Sequence, residues 1–185
     1  PSNSSAASDV YKRQIILGLA KKNPARMVGN IKSKKVKVDF WTLEEFQKVI
    51  SLLYKGDYYE HYLFICFWLL FTTGLRIGEA AALQWEDIDF ESGIISVTKT
   101  LYYKSMNEYK FVDPKTSASI RTVVIDEDTI RELKDWMEVQ KKVLKDCNFV
   151  LSYSGIPTSK HTLPRALEKL AGLAGVHRIK IHALR

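Results

Sequence analysis

Cysteine is nearly absent: Cys66 and Cys147 are the only two in 185 residues, and they lie far apart. That excludes a disulfide framework and a thiolate metal cluster, and it fits a reducing cytoplasm. Histidine is also sparse, at four. No Asp, Glu and His cluster at metal-ligand spacing, so neither a metal nor any other cofactor is expected. The dense apolar run Tyr62 to Phe71 (YLFICFWLLF) is ten residues, about half a membrane span, and reads as a buried core helix. Ile15 to Leu19 is too short for the apolar part of a secretory signal. There is no internal repeat, and no low-complexity tract beyond the first fourteen residues.

What is present describes an ordinary globular chain, 46% hydrophobic and 26% charged. Its length holds one domain, or one plus part of another, and a domain of about 150 residues buries roughly 70% of its unfolded surface without a staple. The net charge of +7 is unevenly placed. Residues 1–40 carry nine bases (Lys12, Arg13, Lys21, Lys22, Arg26, Lys32, Lys34, Lys35, Lys37) against Asp9 and Asp39, and beyond them 19 bases cancel 19 acids. A basic arm on a neutral body suits a polyanion, although lysine runs are commonly just solvated.

Pro1 to Gln14 (PSNSSAASDVYKRQ) is rich in Ser and Ala and has no periodicity; it reads as a disordered assembly scar. Residues 15–38 read as the end of an upstream domain followed by a basic linker, with a stop at Lys21-Lys22-Asn23-Pro24. The body, 39–185, opens on a capping box, Thr42 with Glu45, and a staple of Trp41 and Phe46. Phe46, Val49, Ile50 and Leu53 then share one helical face. After the apolar helix, Gly74 is placed to cap it in the left-handed conformation, and a second helix starts at Arg76 and runs to about Leu83. Ile94–Leu101, Tyr109–Val112 and Ile120–Ile125 are β-branched or aromatic and predict three short antiparallel strands, with Lys115 in the turn before the last. Helix resumes behind an Asp126 N-cap, with Ile130, Leu133 and Met137 facing inward. Leu163–Ala174 is a further helix capped by Gly175, and Ile179 leads into His182-Ala-Leu-Arg185. The fold class is therefore mostly α with a small three-stranded antiparallel sheet (α+β).

Four features stand in order: an arginine at a helix corner, a lysine on a β-turn, then a histidine and an arginine one turn apart. Thr73-Gly-Leu-Arg-Ile-Gly-Glu79, Leu83-Gln-Trp-Glu-Asp-Ile-Asp89, Pro114-Lys-Thr116 with Ser119 and Arg121, and His182-Ala-Leu-Arg185 together resemble the tyrosine recombinase (phage integrase) family. The likeness runs from about Asn23 to Arg185.

The resemblance implies site-specific DNA recombination by strand cleavage and rejoining through a 3′-phosphotyrosine intermediate. It implies that the upstream domain ending within residues 15–38 is DNA-binding (core-binding). It makes Arg76 and Arg185 a clamp on the non-bridging phosphate oxygens, favouring the transition state. It makes Lys115 the acid that protonates the departing 5′ oxygen, His182 a phosphate or proton-transfer partner, and Glu79 a support that orients the basic residues. The expected partner is double-stranded DNA, not membrane, gripped in part by Lys21, Lys22, Arg26, Lys32, Lys34, Lys35 and Lys37. The family also implies a nucleophilic tyrosine past the His-x-x-Arg box, whereas all nine tyrosines here precede His182. The expectation is thus a truncated catalytic domain, inactive alone and monomeric, from a cytoplasmic bacterial or mobile-element parent that works as a tetramer on DNA. The alternatives are a non-catalytic DNA-binding remnant or regulator, and a type IB topoisomerase-like enzyme.

Overall fold

The computed structural model describes residues 3–22, 39–105, 108–112, 120–159 and 161–185. The chain divides into two compact units, Pro1–Lys37 and Val38–Arg185. In the first, Asn3–Ile16 is a helix, α1. This corrects the expectation of disorder over residues 1–14. The helix has no apolar stripe, which is why periodicity gave no sign of it. Ile15 and Ile16 are its last residues, and a turn follows at Leu17 and Gly18. Lys21 and Lys22 are exposed, while Arg26, Lys32, Lys34, Lys35 and Lys37 lie outside the described residues.

The second unit is built on local signals. Thr42 caps α2 (Leu43–Ile50): its Oγ1 accepts from the Glu45 amide at 3.3 Å, and Glu45 Oε2 accepts from the Thr42 amide at 2.8 Å. Trp41, Phe46, Val49, Ile50 and Leu53 are all buried. Asp57 caps α3 (Tyr58–Thr73), accepting from the Glu60 amide at 2.9 Å. This helix is apolar around its whole circumference, and His61 to Phe67 are buried without interruption, so it forms the axis of the core. Gly74 ends it at φ 62°, the left-handed cap that a side chain would strain. The short helix α4 (Ile77–Ala82) follows at once, then a 3-10 turn, η1 (Trp85–Asp87).

The sheet keeps its expected size but not its expected members. Strands β1 (Ile88–Asp89), β2 (Ile94–Val97) and β5 (Arg121–Val124) form the three-stranded antiparallel sheet, in the order β1-β2-β5. Tyr109–Val112 belongs to a separate ladder, β3 (Thr100–Ser105) with β4 (Glu108–Val112). The run predicted as one strand, Ile94–Leu101, bends between Val97 and Thr100 and changes partner. Val97 pairs with Arg121, whereas Thr100 pairs with Val112. Lys99 occupies the bend, bonding Gln84 Oε1 at 2.5 Å and Asp87 Oδ2 at 3.0 Å with its ammonium 5.5 Å over the Phe111 ring.

Two helices close the core. Asp126 caps α5 (Glu127–Val143), its Oδ1 accepting from the Thr129 amide at 2.8 Å. The buried stripe is Thr129, Leu133, Trp136 and Gln140, so Trp136 takes the central place that Met137 was expected to share. Its two polar members are satisfied. Thr129 Oγ1 accepts from Trp68 Nε1 at 3.1 Å, and Gln140 accepts from Trp85 Nε1 at 2.9 Å while donating to the carbonyls of Phe149 and Ser152. Helix α6 (Thr162–Ala174) buries Leu163, Leu167, Leu170 and Ala171 and ends at Gly175, φ 67°. The last element, a 3-10 helix η2 (Ile181–Leu184), packs on α3 and α6 through buried Leu184.

Candidate functional site

The corner between α3 and α4 presents Arg76 to solvent over a buried carboxylate. Leu75 is buried, Arg76 sits at the N-cap of α4 with 58% of its side chain exposed, and Glu79 one turn later is only 7% exposed. Gly78 lets α4 lie against the start of β3, since a Cβ there would stand 2.7 Å from Thr100 Oγ1. Close packing of this kind fixes the backbone that aims Arg76.

Glu79 receives four donors. Oε1 accepts from Arg76 Nη1 at 2.8 Å and Arg121 Nη1 at 3.2 Å; Oε2 accepts from the Arg76 amide at 2.9 Å and Arg121 Nη2 at 2.8 Å. A carboxylate has about four lone-pair sites, so all are in use. Burial pushes the Glu79 carboxyl upward. The bonds from Arg121 and from the Arg76 amide and guanidinium outweigh it and hold the group at about 2. The same bond from Glu79 raises Arg121 above its ordinary value. Sequence reasoning placed Arg121 in a motif but gave it no role. The available signal was charge balance: a buried acid in a basic motif needs a second base.

His182 and Arg185 stand at η2, both exposed, and among the described residues neither bonds Arg76 or Glu79. The loop before them is tied down at His177. Its carbonyl accepts from Trp41 Nε1 at 2.7 Å, its Nδ1 lies 3.1 Å from Glu45 Oε1, and its Nε2 lies 3.1 Å from Asp39 Oδ1. Lys115 and the whole turn 113–119 lie outside the described residues. The structure therefore brings together Arg76, Glu79 and Arg121, and places His182 and Arg185 on a separately anchored element.

Several tyrosines have core environments rather than reactive ones. Burial raises Tyr58 and Tyr103 to about 12, and raises Tyr62, whose hydroxyl donates to Thr158 Oγ1 at 2.9 Å. Cys66 is wholly buried and its thiol is likewise pushed up, which makes it inert.

Residues 40–185 match the model of the phage integrase family. The chain belongs to that family. As a phage integrase family member it is similar over 96% of its length to the ICEBs1 integrase of Bacillus subtilis, at 29% identity, covering 49% of that protein. It is 31% identical over 91% of its length to a XerC-like tyrosine recombinase of Caldanaerobacter subterraneus subsp. tengcongensis, covering 48% of it. The chain thus spans about half the length of these curated relatives. Among solved structures, the Tn1549 transposon integrase in complex with a circular intermediate DNA superposes with a TM-score of 0.79 at 20% identity, over 98% of this chain and 62% of that one. A lambda integrase dimer bound to a COC' core site gives 0.62 at 18%, over 98% and 61%. At these identities the likeness is one of fold.

Proposed function

We propose that the protein takes part in site-specific DNA recombination, and that this chain supplies most of the phosphate-holding half of the site. The observation that carries the reading is the exposed Arg76 fork over a charge-saturated Glu79. A guanidinium steadied by one Nη and still open to solvent is ready to grip a non-bridging oxygen of a DNA phosphate bidentately. Family membership supports giving Arg185 the second half of the clamp, Lys115 the proton for the 5′ leaving oxygen, and His182 a place on the phosphate or on the nucleophile's proton. The similar Tn1549 and lambda integrase structures are complexes with DNA, which supports a double-stranded DNA partner here.

Residues 39–185 act as catalytic domain in this reading, with 15–38 as the basic segment that crosses the duplex through Lys21, Lys22, Arg26, Lys32, Lys34, Lys35 and Lys37. Every tyrosine of these 185 residues precedes His182. In this reading the stretch holds phosphate as a monomer, and covalent chemistry and tetramer assembly are assigned to a full-length recombinase in a cytoplasmic setting, since the chain spans about half the length of its curated relatives.

The test is binding of the 185-residue chain to a short DNA duplex across a salt series. Each phosphate contact adds about 0.9 to the log–log slope, so Arg76→Ala is expected to lower the slope by about one contact in a chain that circular dichroism shows to be folded. A flat salt dependence in the unmodified chain refutes the reading.

A further inference from the structure

Arg121 is the partner that decides how much of Arg76 is left for a ligand. It approaches Glu79 with its fork, Nη1 on Oε1 at 3.2 Å and Nη2 on Oε2 at 2.8 Å. Arg76, although it is the sequence neighbour at i−3, reaches the same carboxylate with one Nη and its backbone amide. A bidentate guanidinium–carboxylate pair is the stronger arrangement, and only one fork can occupy the plane of a single carboxylate in that way. The three charges sum to +1 at the corner. Without Arg121 the sum of these charges is zero, and Arg76, already bonded to Glu79 Oε1, can fold its whole fork onto the carboxylate.

We propose that Arg121 is a positioning residue for the phosphate site: by occupying Glu79 bidentately from β5, it keeps the Arg76 fork unfolded and its charge uncancelled for an incoming phosphate. The inference rests on the reading of Arg76 as a phosphate ligand. It differs from a plain structural role in one respect, because the harm done by losing Arg121 comes from Glu79. Removing the carboxylate as well restores Arg76, even though it deletes a second buried contact.

β5 is well placed for this. Arg121 is its first residue and pairs with Val97 of β2, so the guanidinium springs from a strand fixed on the sheet. Glu79 lies on α4, whose Gly78 packs tightly against Thr100. Both ends of the bond are held by backbone, and only Arg76 remains adjustable.

The test uses the 185-residue chain with isotope-labelled arginine, reading the Arg76 guanidinium signals as inorganic phosphate is titrated. In the unmodified chain they move with phosphate. Arg121→Gln is expected to weaken the apparent affinity read at Arg76 about tenfold, the effect of deleting one unit charge at short range in a half-solvated site. The double variant Arg121→Gln with Glu79→Gln is expected to return to within about threefold of the unmodified chain. Should Arg121→Gln fail to fold, Arg121→Lys serves instead: it keeps the charge but not the fork, so the loss is smaller and is again reversed by Glu79→Gln. No response in the unmodified chain overturns the phosphate reading, and the inference with it. A response in the unmodified chain that Arg121→Gln leaves intact, or a loss that Glu79→Gln deepens rather than reverses, overturns the inference alone.

Discussion

The Glu79 carboxylate sets a pH-dependent contribution to stability whose size follows from its surroundings. Burial works against its charge, and the Arg121 and Arg76 bonds more than reverse that, bringing the group from its ordinary 4.5 to about 2. At 1.36 kcal/mol per pH unit this is about 3 kcal/mol in favour of the folded state, carried by the ionised form. The group is depressed on folding, so its contribution is complete above the unfolded value of 4.5 and is lost as pH falls toward 2. The perturbation is Glu79→Gln, which cannot titrate. Urea unfolding followed by tryptophan fluorescence, with fully buried Trp136 as reporter, gives the stability of both chains at each pH. Other depressed carboxylates, Glu44, Asp89 and Asp126, are common to the two chains and cancel in the difference. That difference should be larger at pH 7 than at pH 3 by about 2 kcal/mol, because at pH 3 only about 1.4 of the 3 kcal/mol survives. A gap between the two chains that does not change with pH refutes the argument, and shows that the arginines do not stabilise the charge of Glu79.

Two further substitutions probe the frame behind the site. His61 is buried on α3 with neither ring nitrogen hydrogen-bonded and with Asp135 Oδ2 3.9 Å from Nε2, and burial holds it below its ordinary value, hence neutral. His61→Phe replaces an unsatisfied polar ring by an apolar one of similar shape and should leave stability unchanged or raise it by about 1 kcal/mol; a loss above that in urea unfolding contradicts the assignment. Gly74 has open space where a Cβ would go but a φ of 62°, so Gly74→Ala should cost about 1 kcal/mol from backbone strain alone, with a matching drop in melting temperature and an unchanged core.

Local signals were readable in the sequence because each is settled within one turn of chain. The Thr42–Glu45 box, the left-handed glycines at 74 and 175 and the Asp126 cap stand where residue types alone put them. So does the Arg76–Glu79 pair, three residues apart across a helix start. What escaped depends on distance. The partner of Glu79 is 42 residues away, and no periodicity links the two. The exchange of partners at Lys99 escaped for a related reason: Ile94–Leu101 is uniformly β-forming, and the bend is set by bonds to Gln84 and Asp87 that strand propensity does not contain. Trp136 displaced Met137 because an indole that donates to the Val150 carbonyl at 2.8 Å can fill the centre of the core with its polar atom satisfied. The helix at Asn3–Ile16 was missed because it lacks the amphipathic stripe by which helices are found.

The change of partner in the strand also gives one part of the chain a ladder of its own. Val97 and Arg121 face each other across the β2–β5 ladder, so everything between them leaves the sheet and returns to the same spot. Among the described residues of 98–120, β3 and β4 form the separate ladder, which packs on α4 through Leu101 and Thr100 and is bonded to the Pro157 carbonyl by the Tyr103 hydroxyl. Lengthening a flexible loop costs little, about 0.6 kcal/mol for each doubling, whereas shifting the strands themselves disturbs their seat on α4. Loop length on that side of the protein can therefore vary while the core stays constant, as long as the proposed Lys115 is kept and the returning strand still begins with an arginine for Glu79.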